Sequence, residues 1–245
     1  MNVVGVGAPV RWLALGWRDF TEALVPCVIY GAGIAGLSFA LWRLLIDSNL
    51  AFWALTLSCG FVFIAPMLAM GLYEAGRLLG GGQQPTLSQM IFVRAAVRPD
   101  IFYLGLTLLL LYLLWGRVAQ VVYGLSTYRL HTTVQAFADF ALHTPEGHVM
   151  LISGTIIGGI LAFFAFSITV VSAPMLLDRN ADAFGAMFSS LQAVSKNFVP
   201  LLFWAGLIAL LLIISAATSW LALVIIFPWL GLASWRAYRD LIGEA

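Results

Sequence analysis

The sequence is poor in charge: only 9% of its 245 residues are Asp, Glu, Lys or Arg, whereas 62% are hydrophobic. A soluble domain carries roughly 25% charged residues, which it needs to cover its surface. Because this chain lacks the polar residues to coat a globule, we expect lipid to solvate most of its surface. The net charge is +1, and the basic residues are scattered along the chain without forming a basic patch. These two features exclude nucleic acid as a partner.

Cysteine and histidine are also scarce. Cys27 and Cys59 fall within apolar runs at expected depths roughly 16 Å apart, too far for a disulfide, so we interpret both as small apolar fillers. Haem needs axial ligands such as histidine, and iron–sulfur clusters need several cysteines. The predicted spans offer neither ligand set, so we expect no cofactor, no metal and no catalytic residue there. The chain is accordingly expected not to be an enzyme.

Long uncharged stretches predict an all-α membrane protein, a single transmembrane domain over residues 1–245 with six transmembrane helices. A hydrocarbon core about 30 Å thick needs about 20 apolar residues for each span. The last uncharged run, Asn197 to Trp235, would be roughly 58 Å long as one helix, so we expect it to turn near residues 215–219. The predicted spans cover residues 24–46, 51–73, 101–123, 149–176, 199–216 and 219–236.

Four connections carry apolar residues at helical spacing, which predicts amphipathic helices at the membrane surface. They cover residues 11–20, 86–98, 132–143 and 182–197. In the first of them the apolar face would consist of Leu13, Trp17 and Phe20. In the last it would consist of Phe184, Met187, Phe188, Leu191 and Val194.

The distribution of basic residues predicts that both termini are cytoplasmic, since cytoplasmic loops are enriched in Lys and Arg. Three basic residues, Arg43, Arg117 and Arg129, would lie on the outer side. The other nine would lie on the inner side, namely Arg11, Arg18, Arg77, Arg94, Arg98, Arg179, Lys196, Arg236 and Arg239.

A short motif indicates an internal repeat. Ala65-Pro66-Met67-Leu68 recurs 108 positions later as Ala173-Pro174-Met175-Leu176. Each copy ends a span and precedes an acid, a base, an amphipathic helix and another span, which predicts two parallel helix–amphipathic helix–helix repeats. Pro66 and Pro174 would kink their helices at matched depth, because proline removes a backbone hydrogen bond.

Individual residues supply further candidates. Small residues predict close helix packing at Gly31, Ala35, Gly154 and Gly158. Arg117, with Gln120 one turn later, is a candidate buried polar site, and snorkelling to the headgroups is the alternative. A basic inner rim is expected to contact anionic lipid or a partner, and it comprises Arg77, Arg94, Arg98, Arg179 and Lys196.

The three histidines, His131, His143 and His148, share the predicted outer connection with two carboxylates, Asp139 and Glu146. Imidazole and carboxylate groups suit zinc, so a metal site is one reading of this loop. Their spacing matches no compact ligand motif, and ordinary surface histidines are the preferred interpretation.

Several segments together resemble a known family. These are Gly16-Trp17-Arg18-Asp19, Gly71-Leu72-Tyr73-Glu74, Thr144-Pro145-Glu146-Gly147, residues 170–179 (VVSAPMLLDR), and FPWLG with ASWRAYRDL over residues 227–231 and 233–241. In these motifs the chain is similar to a bacterial family of predicted integral membrane proteins, domain of unknown function 2189. The resemblance covers nearly the whole chain and implies a bacterial inner-membrane protein without an established activity.

Three functional hypotheses follow. The first is a non-catalytic accessory or assembly subunit packed against other integral membrane subunits of a larger, respiratory or photosynthetic type complex. The alternative is a carrier or channel for a small solute or lipid, with a route between the repeats lined by Ser58, Ser167, Thr169 and Ser172. The third is an enzyme acting on lipid headgroups through Glu74 and Asp178, a pair more often found in helix capping and interfacial ion pairs.

Overall fold

The computed structural model describes residues 1–93, 98–129 and 131–243, and over these ranges it is all-helical, without strands. The helices are α1 (Ala8–Glu22), α2 (Leu24–Asp47), α3 (Ala51–Leu68), α4 (Met70–Gly80), α5 (Leu87–Ile91), α6 (Pro99–Ser126), α7 (Val134–His143), α8 (Pro145–Thr169), α9 (Ser172–Asp178), α10 (Ala183–Lys196), α11 (Phe198–Ala217) and α12 (Leu223–Ile242).

Five segments are long and apolar enough to cross a membrane: α2, α3, α6, α8 together with α9, and α11. We call α2, α3, α6, α8 and α11 the apolar bundle. Only 11% to 28% of each apolar stretch is buried within the chain, as expected where lipid covers the rest. The segment of the sixth predicted span, 219–236, is not among the five. Its helix, α12, begins only at Leu223 and carries Arg236, Arg239 and Asp240.

Four of the helices, α5, α7, α8 and α10, begin at a capping side chain. The Thr144 hydroxyl accepts a hydrogen bond from the Gly147 amide at 3.0 Å, so α8 begins at Pro145, before the predicted residue 149. Asp182 caps α10 in the same way, through the Gly185 amide at 2.8 Å.

The amphipathic helix predicted over residues 86–98 is much shorter in the structure. α5 ends at Ile91, where Phe92 leaves the helical conformation, and residues 94–97 of the prediction lie outside the described residues. Arg98 is extended because it precedes Pro99, the first residue of α6, and proline disfavours helical backbone at the residue before it.

Breaks in the helices near the two repeated motifs differ from the prediction. α3 ends at Leu68, whose carbonyl accepts the Tyr30 hydroxyl at 2.7 Å, so residues 51–73 are not one helix. α8 ends at Thr169, and the Val171 amide donates to the Ser190 hydroxyl at 3.1 Å. The first break follows its proline, Pro66, whereas the second precedes Pro174, which lies inside α9. The two breaks therefore fall at different positions of the repeated motif, and kinks at matched depth stay a prediction.

The second packing unit surrounds α12. Twelve of its twenty residues are buried, and α1, α2, α4, α11 and α9 pack against it, α1 and α2 most extensively. We call α1, α4, α9 and α12 the terminal module, because the two ends of the chain meet there. The Asn2 amide donates to the Leu241 carbonyl at 2.7 Å.

The apolar face predicted for α1 is wrong in detail. Trp12, Gly16 and Asp19 are buried together with Phe20, whereas the Trp17 side chain is partly exposed. The reason is that α1 packs on α12, where the Gly16 position lies against the backbone of Ala233.

One tryptophan joins three helices of the apolar bundle. The Trp115 indole of α6 donates to the Thr56 carbonyl of α3 at 2.8 Å, and its ring lies against Gly158 of α8. Trp115 thus joins α6 to both of these helices, and α6 packs against each more extensively than they pack against one another. Neither cysteine is in a disulfide: Cys27 is buried, but Cys59 is exposed on α3 and fills no interior space.

Candidate functional site

The most deeply buried charge pair of the terminal module joins its first and last helices. The Asp19 carboxylate of α1 accepts two hydrogen bonds, both 2.6 Å long, from the Arg236 guanidinium of α12. The Asp19 side chain is only 2% exposed. Paired donation to both carboxylate oxygens fixes the relative rotation of the helices as well as compensating the buried charge.

A second carboxylate, Asp178 at the end of α9, lies beside three groups of the same module. The Tyr238 hydroxyl donates to it at 2.8 Å. Nitrogens of Arg239 and Arg179 lie 3.6 and 3.8 Å from it. Burial of the Tyr238 hydroxyl raises its pKa, and the hydrogen bond to Asp178 adds to that increase. We call Asp19, Arg236, Asp178, Tyr238, Arg239 and Arg179 the ionic cluster.

A third acidic residue ties α1 to the end of the chain. Asp240 accepts from the Trp12 indole at 2.8 Å and pairs with Arg11. This contact and the roles of Asp19 and Tyr238 were not among the features predicted from the sequence. The sequence does contain a pattern that could have predicted a partner for Asp19, because Trp12, Gly16 and Asp19 follow helical spacing and share one face of α1. A carboxylate on a buried face requires a hydrogen-bond or charge partner.

The predicted basic rim is mostly engaged within the protein. Arg77 is paired with Glu74 through two hydrogen bonds, which raise the pKa of the guanidinium. Arg98 donates to the carbonyls of Leu176 and Arg179, both at 3.0 Å. These hydrogen bonds satisfy backbone carbonyl groups at the end of α9 that lack a partner within the helix. Arg179 donates to the Gly243 carbonyl, Lys196 is exposed, and Arg94 lies outside the described residues. Contact of this rim with anionic lipid stays a prediction.

The predicted packing positions separate into two groups. Gly31 lies directly against Val224 and Pro228 of α12, and a Cβ at Gly158 would lie 2.7 Å from the Trp115 ring. Ala35 is buried on the same face of α2 as Gly31. A Cβ at Gly154 would meet nothing within 4 Å among the described residues, so the prediction of close packing there is wrong within this chain. Gly154 is half-buried and lies one turn before Gly158 on α8.

Arg117 and Gln120 do contact each other, with 3.1 Å between the guanidinium and the amide oxygen. They are not a buried site, however, because Arg117 is exposed while Trp115 and Ala119 occupy the buried side of α6. Of the two interpretations of Arg117, snorkelling fits its exposed position.

The histidine loop forms an open cleft of about 740 Å³ at the end of α6, between α7 and the start of α8. His131 stacks on Phe140 and bonds to the Tyr123 hydroxyl at 2.9 Å, whereas His148 bonds to the Leu142 carbonyl. His143 lies 3.7 Å from Asp139. No three potential metal ligands converge here or elsewhere in the part of the chain that the structure describes.

The contacts of the ionic cluster indicate whether its carboxylates could act as a general acid or base. Both of its carboxylates are held by arginine or tyrosine donors from other helices, as is Asp240. A general acid or base must instead be able to reach a substrate proton. The cluster is therefore arranged to hold α1, α9 and α12 together through ion pairs and hydrogen bonds.

Comparison with protein families gives one match. A family profile described as "Predicted integral membrane protein (DUF2189)" matches residues 54–178, about half of the chain. The matched region runs from α3 to the end of α9 and includes both prolines of the repeated motif. Searches of curated proteins and of solved structures gave no match.

Proposed function

We propose that this chain is a non-catalytic accessory or assembly subunit. The premise is that the chain belongs to the DUF2189 family of integral membrane proteins. It would pack laterally against other integral membrane subunits of a larger complex. The respiratory and photosynthetic assemblies are the types we expect. The observation that carries the proposal is an uncovered small-residue face on α2.

That face is distinct from the packed face of α2. Gly31 and Ala35 are buried, whereas Ala32, Gly36 and Ala40 follow one another at i, i+4 and i+8 and are all exposed. A Cβ at Gly36 would meet nothing within 4 Å over the described ranges. In a bilayer, helix association depends on small residues that let backbones approach closely, because lipid and leucine are equally apolar. An uncovered face of this composition favours a second membrane helix as its neighbour.

The state of the acidic residues supports a non-catalytic role. Glu74 is held by Arg77, and Asp178 by Tyr238. A lipid-headgroup enzyme that used these two carboxylates would have to break both contacts first. Such an enzyme is therefore the weakest of the three hypotheses.

The carrier hypothesis also has less support than the accessory one. Ser167, Thr169 and Ser172 were predicted to line its route, but each donates to the backbone carbonyl four residues earlier in the chain. They are also buried. Purified protein that moves a solute across liposomes would restore this alternative.

The topology we propose has six spans with both termini cytoplasmic. Five crossings would place the ends of the chain on opposite sides, but Asn2 bonds to Leu241. The contact supports α12 as a sixth crossing, with its polar end beside α1. The excess of Lys and Arg on that side favours the cytoplasmic face of a bacterial inner membrane.

The test is co-purification. Membranes that contain the tagged protein are solubilised gently, and the complex is analysed by native gels and mass spectrometry. We expect other integral membrane subunits to co-migrate with the wild type. Gly36→Leu should reduce their recovery severalfold, whereas Gly206→Leu, at an equally open position on α11, should leave it unchanged.

Two results would contradict the proposal. One is wild-type protein that migrates only as a monomer or a homodimer. The other is equal recovery of the same subunits with both variants, which would place the contact elsewhere than α2.

A further inference from the structure

Helix α10 connects two candidate spans and has three different faces. Ala183, Ala186, Ser190 and Ala193 are buried against the rest of the chain. Phe184, Phe188 and Leu191 are 78%, 67% and 39% exposed. At about 3.6 residues per turn these three share one stripe, and the exposed Gln192 and Lys196 fall on the next sector of the helix.

The sequence pattern did not distinguish these faces. It joined Phe184, Phe188 and Leu191 with Val194 in one apolar side, but Val194 is buried while the two phenylalanines face outward. Alanine and serine, not phenylalanine, form the side that contacts the protein. Ser190 fixes this orientation, since its hydroxyl accepts the Val171 amide at the break between α8 and α9.

The level of α10 along the bundle follows from its neighbours. Phe198, two residues after the end of α10, lies 5.9 Å from Phe163 of α8, ring centre to ring centre. Phe198 is also the first residue of the candidate span α11, so the end of α10 lies where an apolar stretch of bilayer length begins.

The exposed stripe continues the outward surface of the spans on either side. The Ala183 amide bonds to Asp100 at 3.0 Å, near the start of α6. Phe102, two residues further along α6, is 66% exposed, and Phe198 of α11 is 50% exposed. The three aromatic side chains Phe102, Phe184 and Phe198 thus stand at the ends of adjoining helices.

We propose that α10 lies in the membrane border with Phe184, Phe188 and Leu191 inserted among the acyl chains, and Gln192 and Lys196 in the aqueous layer. The occupant of this stripe is the lipid bilayer, because the stripe is continuous with the surface that lipid covers on α6 and α11. A helix in the interface plane requires such an apolar side and polar side. The inference rests on membership of the membrane protein family and is independent of the accessory-subunit proposal.

The test compares labelled positions on α10 in nanodiscs. The native cysteines are replaced (Cys27→Ala, Cys59→Ala), and one nitroxide is attached in each of three variants: Phe188→Cys, Leu191→Cys and the control Gln192→Cys. Collision with oxygen reports the lipid phase, and collision with a nickel chelate reports water. We expect the ratio of oxygen to nickel collisions to be severalfold higher at positions 188 and 191 than at position 192.

Two outcomes would overturn the proposal. If all three labels collide mainly with nickel, α10 lies in water. If the labels at positions 188 and 191 are shielded from both reagents, protein covers the stripe instead of lipid. Leu191→Cys keeps the test decisive if Phe188→Cys fails to fold, since both positions share the stripe.

Discussion

The terminal module and the apolar bundle are built on different principles. In the module, most of α12 is buried, and carboxylates from α1 and α9 are paired with its side chains. In the bundle, between 11% and 28% of each apolar stretch is buried, and contact depends on a few positions such as Trp115 and Gly158. The module is stabilised by its own packing, whereas lipid replaces much of the protein contact in the bundle.

Removing a buried charge should have the largest effect and should separate the two regions. Asp19→Asn leaves the Arg236 guanidinium, whose side chain is 31% exposed, facing a neutral amide, and the loss of a charge-assisted hydrogen bond costs about 1.5–3 kcal/mol. Asp47→Asn is the matched control, because Asp47 pairs with Arg43 at 3.2 Å with both side chains more than half exposed. An exposed pair of this kind is worth less than about 1 kcal/mol.

The measurement for this pair of variants is unfolding in mild detergent. Asp19→Asn should lower the free energy of unfolding far more than Asp47→Asn. Equal losses for the two variants would mean that the module is no more dependent on its ion pairs than the end of α2 is.

Glycine substitutions test the difference in packing. A Cβ at Gly16 would lie 2.6 Å from the backbone nitrogen of Ala233, which cannot move aside as a flexible side chain can. We therefore expect Gly16→Ala to cost about 2–3 kcal/mol of stability through overpacking. Gly154→Ala in the bundle should cost nothing, since its Cβ points into open space and alanine favours the helix. Thermal unfolding in nanodiscs measures both, and a tolerated Gly16→Ala would contradict the close approach of α1 and α12.

The hydroxyl of Tyr238 should give the module a pH dependence. Tyr238→Phe removes a hydrogen bond to Asp178, worth about 1.5 kcal/mol for a charged acceptor. The folded pKa is raised above the ordinary value of 10.0, so the folded state keeps a proton that the unfolded state releases. The advantage of the wild type over Tyr238→Phe should thus be constant below about pH 9 and shrink as the pH rises beyond 10. An advantage that grows in alkaline solution would show that Tyr238 is not held as the neutral donor.

The features that were predictable from sequence are local. Five candidate spans were recognisable because each is a continuous apolar stretch of bilayer length. The turn after α11 was expected near Ser215–Ser219 and occurs only slightly later, at residues 218–222. Such features can be predicted from neighbouring residues alone, without knowing which distant residues they contact.

The features that were missed depend on contacts between distant residues. The burial of Asp19 was missed because its partner Arg236 is 217 residues away in the chain. The helix breaks near Pro66 and Pro174 were displaced by hydrogen bonds from Tyr30 and to Ser190, which are on other helices. Proline weakens a helix locally, but tertiary hydrogen bonds determine where it ends.

The smallest effect is expected for the charge that the bundle exposes. Arg117 is exposed on α6, and its recorded partner is Gln120 on the same helix. Replacing Arg117 by leucine removes one weak hydrogen bond, but it also removes the cost of placing a charge near lipid. We therefore expect Arg117→Leu to lower the stability in nanodiscs by less than about 0.5 kcal/mol, or to raise it. Gln120→Leu is the control for the hydrogen bond alone. A loss above about 2 kcal/mol for Arg117→Leu only would mean that Arg117 has a partner beyond this chain, and that the bundle, like the module, contains a charge that lipid alone cannot satisfy.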